Sequence, residues 1–189
     1  MKDLFGQAIL DYQTNNQPEN ITTETNISEA DEMETSWLFR SHDQMPVIEK
    51  KALELSRGSV LDIGCGAGSH ALYLQNEKNL DVTAIDISPK AVEACALRGV
   101  KHVEASDFMD VYQQFDTILL LMNGTGICGK LANLPRFLQK LKSLLQPNGQ
   151  ILIDSSDIVY MFDQDDDGGH WIDSGSYYGE LEFTIFYKG

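Results

Sequence analysis

The sequence predicts an α/β protein with a doubly wound, mainly parallel sheet and helices on both faces. Three observations predict this class. Strand and helix patterns alternate from residue 59 onward. The apolar run Val60–Ile63 leads into a glycine-rich turn, and a helical pattern follows the turn. The later run Phe115–Met122 is almost continuously apolar, as in a parallel strand that is covered on both faces.

The N-terminal part of the chain carries helical and loop patterns. Apolar residues at helical spacing predict a helix over Asp3–Thr14. The stretch Asn15–Asn26 is rich in Asn, Thr, Gln and Pro, which predicts a loop. A second helix is predicted from Pro46 to Leu55, because Pro suits the first helical position and Gly58 follows as a stop.

The core from residue 58 onward is predicted as strands that alternate with helices. The predicted strands are Val60–Ile63, Val82–Ile87, Val100–Glu104, Phe115–Met122, Gln150–Asp154 and, as a sixth, Tyr178–Tyr187. The predicted helices are Ser69–Asn76, Ser88–Arg98 and Leu131–Gln146, the last ending at the turn Pro147–Gly149. Ser88 is a good N-cap and Pro89 suits the first helical position, so the second of these helices has the clearest start.

Composition and charge narrow the possible partners. The 189 residues suffice for one ordinary domain, and the net charge is −15. This charge disfavours nucleic acid or an anionic membrane surface as the main partner and favours a small molecule. No run approaches the ~20 apolar residues of a membrane span, and no signal peptide is recognisable, so we expect a cytoplasmic protein. Cys65, Cys95 and Cys128 have no metal-ligand spacing, and we expect reduced thiols and no metal.

The strongest motif is the turn after the first core strand, Asp62-Ile63-Gly64-Cys65-Gly66-Ala67-Gly68. Its glycines let backbone N–H groups approach a ligand without an intervening Cβ. It differs from the dinucleotide pattern G-x-G-x-x-G because position 69 is Ser. Asp62 would repel a pyrophosphate but attract an ammonium group, so a ligand with both an amino and a carboxylate group fits best. The alternative is a tight strand-to-helix turn without a ligand.

Carboxylates follow the next two strands. Asp86 lies 22 positions after Gly64, at the end of a strand, where it could accept hydrogen bonds from ribose hydroxyls. Its alternative role is to cap the next helix. Asp107 could accept from an exocyclic adenine amine while Phe108 packs on the ring, although an Asp in this place is often a cap as well.

These segments, in this order and spacing, resemble the class I methyltransferases that use S-adenosylmethionine, over about residues 45–155. The resemblance implies a Rossmann-like fold and methyl transfer by in-line attack on a small-molecule acceptor. It implies that Gly64 and Gly66 hold the methionine part, that Asp86 binds ribose and that Asp107 binds adenine. The full set of expected cofactor contacts is Asp62, Gly64, Cys65, Gly66, Gly68, Asp86, Ile87, Asp107, Phe108, Met122, Asn123, Phe39 and Arg40.

The resemblance also concerns the two ends of the chain. In the family, N-terminal segments often close over the cofactor, so residues 1–57 are expected to cover the site and residues 58–189 to form the core of one domain. Arg40 could then reach the cofactor carboxylate, whereas Phe39 could instead only anchor the segment to the sheet. The family sheet ends in an antiparallel hairpin, and this chain is expected to lack the last helix and strand.

Several alternatives stay open on the sequence alone. The run Asn123-Gly124-Thr125-Gly126 differs from the Asn/Asp-Pro-Pro-aromatic pattern of amine and nucleobase methyltransferases, which disfavours methylation of DNA bases. A protein that binds the cofactor without turnover is one alternative. A nucleotide-dependent oxidoreductase is another, disfavoured by Asp62 and Ser69. The pattern assigns no catalytic base, and it leaves the acceptor and the oligomeric state open.

Overall fold

The computed structural model describes residues 2–172 and 177–189, which contain five α-helices and eight strands. The helices are Leu4–Thr14 (α1), Val47–Leu55 (α2), Ser69–Asn76 (α3), Pro89–Leu97 (α4) and Leu134–Ser143 (α5). The strands are Ile21–Thr25 (β1), Ser28–Met33 (β2), Ser59–Ile63 (β3), Asp81–Asp86 (β4), His102–Ala105 (β5), Phe115–Leu120 (β6), Leu145–Ile153 (β7) and Phe183–Phe186 (β8). Within the described ranges, no helix is long and apolar enough to cross a membrane.

Five strands form the central sheet in the order β5-β4-β3-β6-β7, and all neighbouring pairs are parallel. The predicted doubly wound parallel sheet is therefore confirmed. Because the strand order reverses between β3 and β6, a crevice opens at their carboxyl ends. The glycine-rich turn lies at this edge, directly after β3.

Helices cover both faces of the central sheet because β3 alternates its side chains between them. Val60 packs with residues of α2, α3 and α4, including Leu53 and Leu74. Leu61 packs on the other face with Phe137 of α5. Helix α5 is shorter than the predicted Leu131–Gln146, since residues 131–133 form a separate 3-10 turn and the chain enters β7 at residue 145.

Strand β7 includes the predicted turn Pro147–Gly149, so that prediction was wrong. The register against β6 jumps there: Phe115 pairs with Leu145, whereas Thr117 pairs with Gln150. The three extra residues form an irregular bulge, in which Asn148 has a φ of 65°. The bulge thus joins residues 145–146 to the predicted strand Gln150–Asp154 in one interrupted strand.

A second sheet, of order β2-β1-β8, corrects two further predictions. The predicted loop Asn15–Asn26 contains β1, whose Ile21 is fully buried. The predicted sixth strand is shorter than expected and does not join the central sheet, because β8 pairs antiparallel with β1. Lys188, which follows β8, also contacts α1, because its Nζ donates to Asp11 Oδ2 at 2.8 Å. The pKa of Asp11 falls to about 2, because hydrogen bonds from Lys188 and its neighbours outweigh the opposing effect of burial.

Replacing Gly68 by Ala should destabilise the fold by about 2–4 kcal/mol. Gly68 has a φ of 79°, and a Cβ there would lie 2.4 Å from Cys95 Sγ. Gly129→Ala is the matched control, because its φ is 75° but the nearest atom to a Cβ is 4.0 Å away. Urea unfolding of both variants separates the backbone cost from the packing cost. Equal losses would show that the contact with Cys95 relaxes freely.

Candidate functional site

A pocket of about 230 Å³ lies at the carboxyl edge of the sheet, where the strand order reverses. Its floor is the turn at residues 63–67, and its far wall is the segment 121–124 that follows β6. The N-terminal segment supplies the remaining wall through Phe5, Leu38 and Arg40. Residues from three distant parts of the chain therefore enclose one site.

The glycine turn is shaped by backbone conformations that favour glycine. Gly64 has a φ of 74° and Gly66 a φ of 53°. The N–H groups of Gly64 and Cys65 donate to the Ile85 carbonyl at 2.9 and 3.0 Å, which ties the turn to β4. The pocket is lined by three of the residues that were predicted to contact the ligand, Gly64, Cys65 and Gly66. Gly68 does not line the pocket. It lies at the start of α3, close to Cys95 of α4.

Asp62 lines the pocket and is buried, with only 2% of the residue exposed. Among the described residues, its Oδ2 atom has no hydrogen-bond partner. Burial raises the pKa of Asp62 to about 6, and His70 opposes this shift only in part. A buried acceptor without a donor is uncommon and needs an explanation.

Arg40, Glu49 and His70 form a buried ionic network beside the pocket. Glu49 Oε2 accepts from Arg40 at 2.5 Å and lies 2.8 Å from His70 Nε2. Burial works to raise the pKa of Glu49, but the contacts with His70 and Arg40 outweigh it, so the pKa is lowered. Arg40 also donates to the Trp37 carbonyl at 2.7 Å, while its Nε has no partner within the described part of the chain. Arg40 and His70 both line the pocket.

Asp86 binds the glycine turn to the start of α4. Its Oδ2 accepts from the Gly66 N–H and its Oδ1 from the Ser88 N–H, both at 2.9 Å. Burial raises the pKa of Asp86, although these two donors oppose the shift. Asp86 lies just outside the pocket lining, and the neighbouring Ile87 is 79% exposed. The ribose and capping roles are thus compatible, because each carboxylate oxygen can accept more than one hydrogen bond.

Three further predicted contacts, Asp107, Phe108 and Phe39, also do not line the pocket. Asp107 caps a 3-10 turn by accepting from the Met109 N–H at 2.9 Å. Phe108 packs edge-on against Phe137, with ring centroids 5.5 Å apart. Phe39 is not among the residues that line the pocket, since its ring lies against Tyr12 and the Arg98 guanidinium. These contacts are of the kind expected from the alternative role of Phe39, which is to anchor the N-terminal segment.

A second cavity, of about 510 Å³, lies on the other side of the segment that follows β6. It is lined by Tyr177, Tyr178, Asp157 and Glu180, and by residues 125–126 and 128–131. The Tyr178 hydroxyl donates to Asp157 Oδ1 at 3.0 Å, and this hydrogen bond raises the pKa of Tyr178.

Two carboxylates that support the pocket walls without lining the pocket escaped prediction from the sequence. Glu49 is a helical carboxylate, and nothing local distinguishes it from a solvent-exposed residue. Asp154 carried a usable signal, because it directly follows β7 as an acidic residue at a strand end, and Asp62 and Asp86 occupy similar positions. Its carboxylate accepts from the N–H groups of Met122 and Gly124, at the wall of the pocket.

The sheet order, the glycine turn and the pocket define a Rossmann-like α/β domain with a ligand site at its switch point. The family model described as "Methyltransferase domain" matches residues 55–186. The chain belongs to this family, and it is a class I S-adenosylmethionine-dependent methyltransferase. The family predicted from the sequence is thereby confirmed.

Solved structures give the same result. A crystal structure of an S-adenosylmethionine-dependent methyltransferase from Bacteroides fragilis, in complex with S-adenosyl-L-homocysteine, is 44% identical with a TM-score of 0.90. That match covers 99% of this chain and 76% of the other. The sugar N-methyltransferase KedS8 from Streptoalloteichus, 22% identical with a TM-score of 0.51, shares the fold over 62% of this chain and 49% of its own. A search of curated proteins found no match.

Proposed function

We propose that the pocket holds S-adenosylmethionine with its amino-acid end between Asp62 and Arg40. One observation carries this proposal: two buried polar atoms of these residues lack partners within the described chain, and both residues line the pocket. Asp62 Oδ2 is an acceptor that suits an ammonium group. Arg40 Nε is a donor that suits a carboxylate. An α-amino acid supplies both groups, so the residues present fit this cofactor.

The remaining cofactor contacts follow from the same placement. The backbone of the turn at Gly64–Gly66 would run beside the methionine part, and Asp86 would accept from the ribose hydroxyls. The exposed Ile87 and the carboxylate of Asp107 leave an open surface for adenine. Met122 and Asn123 would form the wall opposite the glycine turn, since both line the pocket.

The chain's contribution to catalysis would be orientation and exclusion of water. The bound cofactor supplies a methyl group on a sulfonium, which is already a good electrophile. The protein has to hold the acceptor atom in line with the bond that breaks, and orientation can supply ~7–11 kcal/mol of a barrier in favourable cases. Phe5 and Leu38 extend from the N-terminal segment over the pocket, which supports a covering role for residues 1–57.

We propose a small, polar acceptor that binds in the second cavity. Its volume of about 510 Å³ lies within the range of small-molecule sites. Carboxylates and tyrosine hydroxyls line it, and the net charge of −15 disfavours a nucleic-acid acceptor. The cytoplasm remains our proposed location, supported by three cysteines that form no disulfide.

Calorimetric titration with S-adenosylmethionine, S-adenosylhomocysteine and NAD tests the cofactor assignment. We expect binding of the first two with micromolar dissociation constants and no binding of NAD. Binding of NAD alone, or of none of the three, would contradict the proposed pocket chemistry. Incubation with radiolabelled cofactor and a panel of small polar molecules then tests the acceptor class.

Replacing Asp86 by Ala should weaken binding of S-adenosylhomocysteine by about 1.5–3 kcal/mol, because hydrogen bonds from the ribose to a charged group are lost. Calorimetry measures this loss. Asp81→Ala is the matched control, since Asp81 is an exposed carboxylate at the opposite end of β4. An affinity equal to that of the control would remove Asp86 from the proposed site.

A further inference from the structure

The turn at residues 122–124 has an unusual backbone. Met122 has a φ of 64° and Asn123 a φ of 62°, so two successive residues other than glycine adopt the left-handed conformation. Side chains disfavour this region because Cβ crowds the following carbonyl, and Asn tolerates it better than Met does. Such a conformation persists only where surrounding contacts hold it.

Asp154 supplies those contacts from the neighbouring strand end. Its Oδ2 accepts from the Met122 N–H at 3.1 Å, and its Oδ1 accepts from the Gly124 N–H at 3.0 Å. The backbone carbonyl of Asp154 also accepts from the Thr125 N–H at 3.3 Å. One residue therefore binds three N–H groups on both sides of Asn123. The turn also packs tightly against β6, because a Cβ on Gly124 would lie 2.6 Å from Leu120 Cβ.

The turn and the 3-10 helix that follows it, Gly124–Cys128, separate the two cavities. Residues 121–124 and Ile127 line the pocket, whereas Thr125, Gly126 and Cys128 line the second cavity. A change in the backbone at residue 122 or 123 would thus move a wall that both cavities share. Asp154 itself lines neither cavity and can act on them only through this wall.

We infer that Asp154 is a positioning residue for methyl transfer: its carboxylate holds the wall between the cofactor pocket and the second cavity in a conformation that the turn would not keep alone. The inference rests on the proposed function of the pocket. It assigns Asp154 no contact with the cofactor or the acceptor. Its effect should therefore be confined to ligands that reach the wall.

The test compares two ligands on Asp154→Ala. S-adenosylhomocysteine carries the amino-acid end that the pocket would hold, whereas adenosine lacks it. We expect S-adenosylhomocysteine to bind about tenfold more weakly, which corresponds to about 1.4 kcal/mol. Adenosine should bind within about twofold of the wild-type affinity, and a twofold change corresponds to about 0.4 kcal/mol. The control variant is Asp163→Ala, an exposed carboxylate in the following loop, which should bind both ligands as the wild type does.

Two further variants distinguish positioning from a general structural role. Asp154→Asn keeps the side-chain size but loses one of the two acceptors, so we expect an intermediate loss even if the alanine variant folds poorly. Met122→Gly removes the side chain that resists the left-handed conformation. In that background, Asp154→Ala should weaken S-adenosylhomocysteine by about threefold or less.

Equal losses for both ligands, no loss for either, or no reduction of the loss in the Met122→Gly background would overturn the inference. The proposed function fails separately, if the wild-type protein itself does not bind S-adenosylhomocysteine.

Discussion

Asp62→Asn should stabilise the ligand-free protein at neutral pH by up to about 3 kcal/mol. Burial raises the pKa of Asp62 from 3.8 to about 6, so ionising this carboxyl costs the folded state more than the unfolded state. A difference of about two pKa units corresponds to about 3 kcal/mol. Asn has a similar size but carries no charge, and it therefore removes this cost.

The pH dependence follows from the direction of the shift. Below pH 3.8 the carboxyl is protonated in both states and costs nothing. The cost appears as pH rises from 3.8 and is complete above about 6. The advantage of Asp62→Asn should therefore be largest above pH 6 and vanish below pH 4, as measured by urea unfolding at several pH values. Asp81→Asn, on the exposed start of the adjacent strand, is the control. An advantage that does not depend on pH would contradict this account.

The same substitution should weaken cofactor binding. An ammonium group at the proposed position would lose a charged partner, and hydrogen bonds to charged groups contribute about 1.5–3 kcal/mol. For the wild type, affinity for S-adenosylhomocysteine should fall as pH drops below 6, because only the ionised Asp62 attracts the ammonium. Calorimetry at pH 5 and 7.5 measures both effects. A variant that is more stable but binds equally well would show that Asp62 does not contact the ligand.

Glu49→Ala should destabilise the fold strongly, with a loss of about 3–5 kcal/mol. Glu49 is the shared acceptor of Arg40 and His70, and all three side chains are buried. Its removal leaves the Arg40 guanidinium without a counter-charge in a region that excludes water. Because folding lowers the pKa of Glu49, its contribution is present above the unfolded value of 4.5 and is lost as pH falls further.

Urea unfolding measures the loss, and α2 itself offers a control. Glu54→Ala removes an exposed carboxylate that pairs with Lys51 at 2.8 Å, and it should have little effect, because surface pairs contribute little. If Glu49→Ala behaved like Glu54→Ala, the network would be open to water. Arg40 would then lack the fixed orientation that the proposed carboxylate contact requires.

The sequence predicted those parts of the fold that depend on local patterns. The alternation of strands and helices, the glycine turn and the start of α4 at Ser88 and Pro89 each follow from residues close together in the chain. The strand β1 was mistaken for a loop because its residues and those of its neighbour β2 are mostly polar, and its other partner β8 lies far away in sequence. The length of α5 was overestimated since the apolar pattern continues into β7.

In the candidate site too, residues marked by a local pattern could be predicted, whereas residues that depend on distant partners could not. Asp62 and Asp86 could be assigned to the site from the sequence because each lies at or next to the end of an apolar strand beside the glycine turn. Glu49 was missed, since its burial depends on Arg40 from one segment and His70 from another. Phe39 was assigned to the site and Leu38 was not, because the sequence does not show which face of a short 3-10 turn points into the pocket.

The pairing of β1 with β8 has a consequence for biosynthesis. Thr22 pairs with Phe186, so this sheet cannot be completed until residues 183–186 have left the exit tunnel of the ribosome, although β1 can pair with β2 earlier. The central strands β3 to β7 are all made earlier. The second sheet, although two of its strands are synthesised first, is therefore completed after all strands of the central sheet have been made.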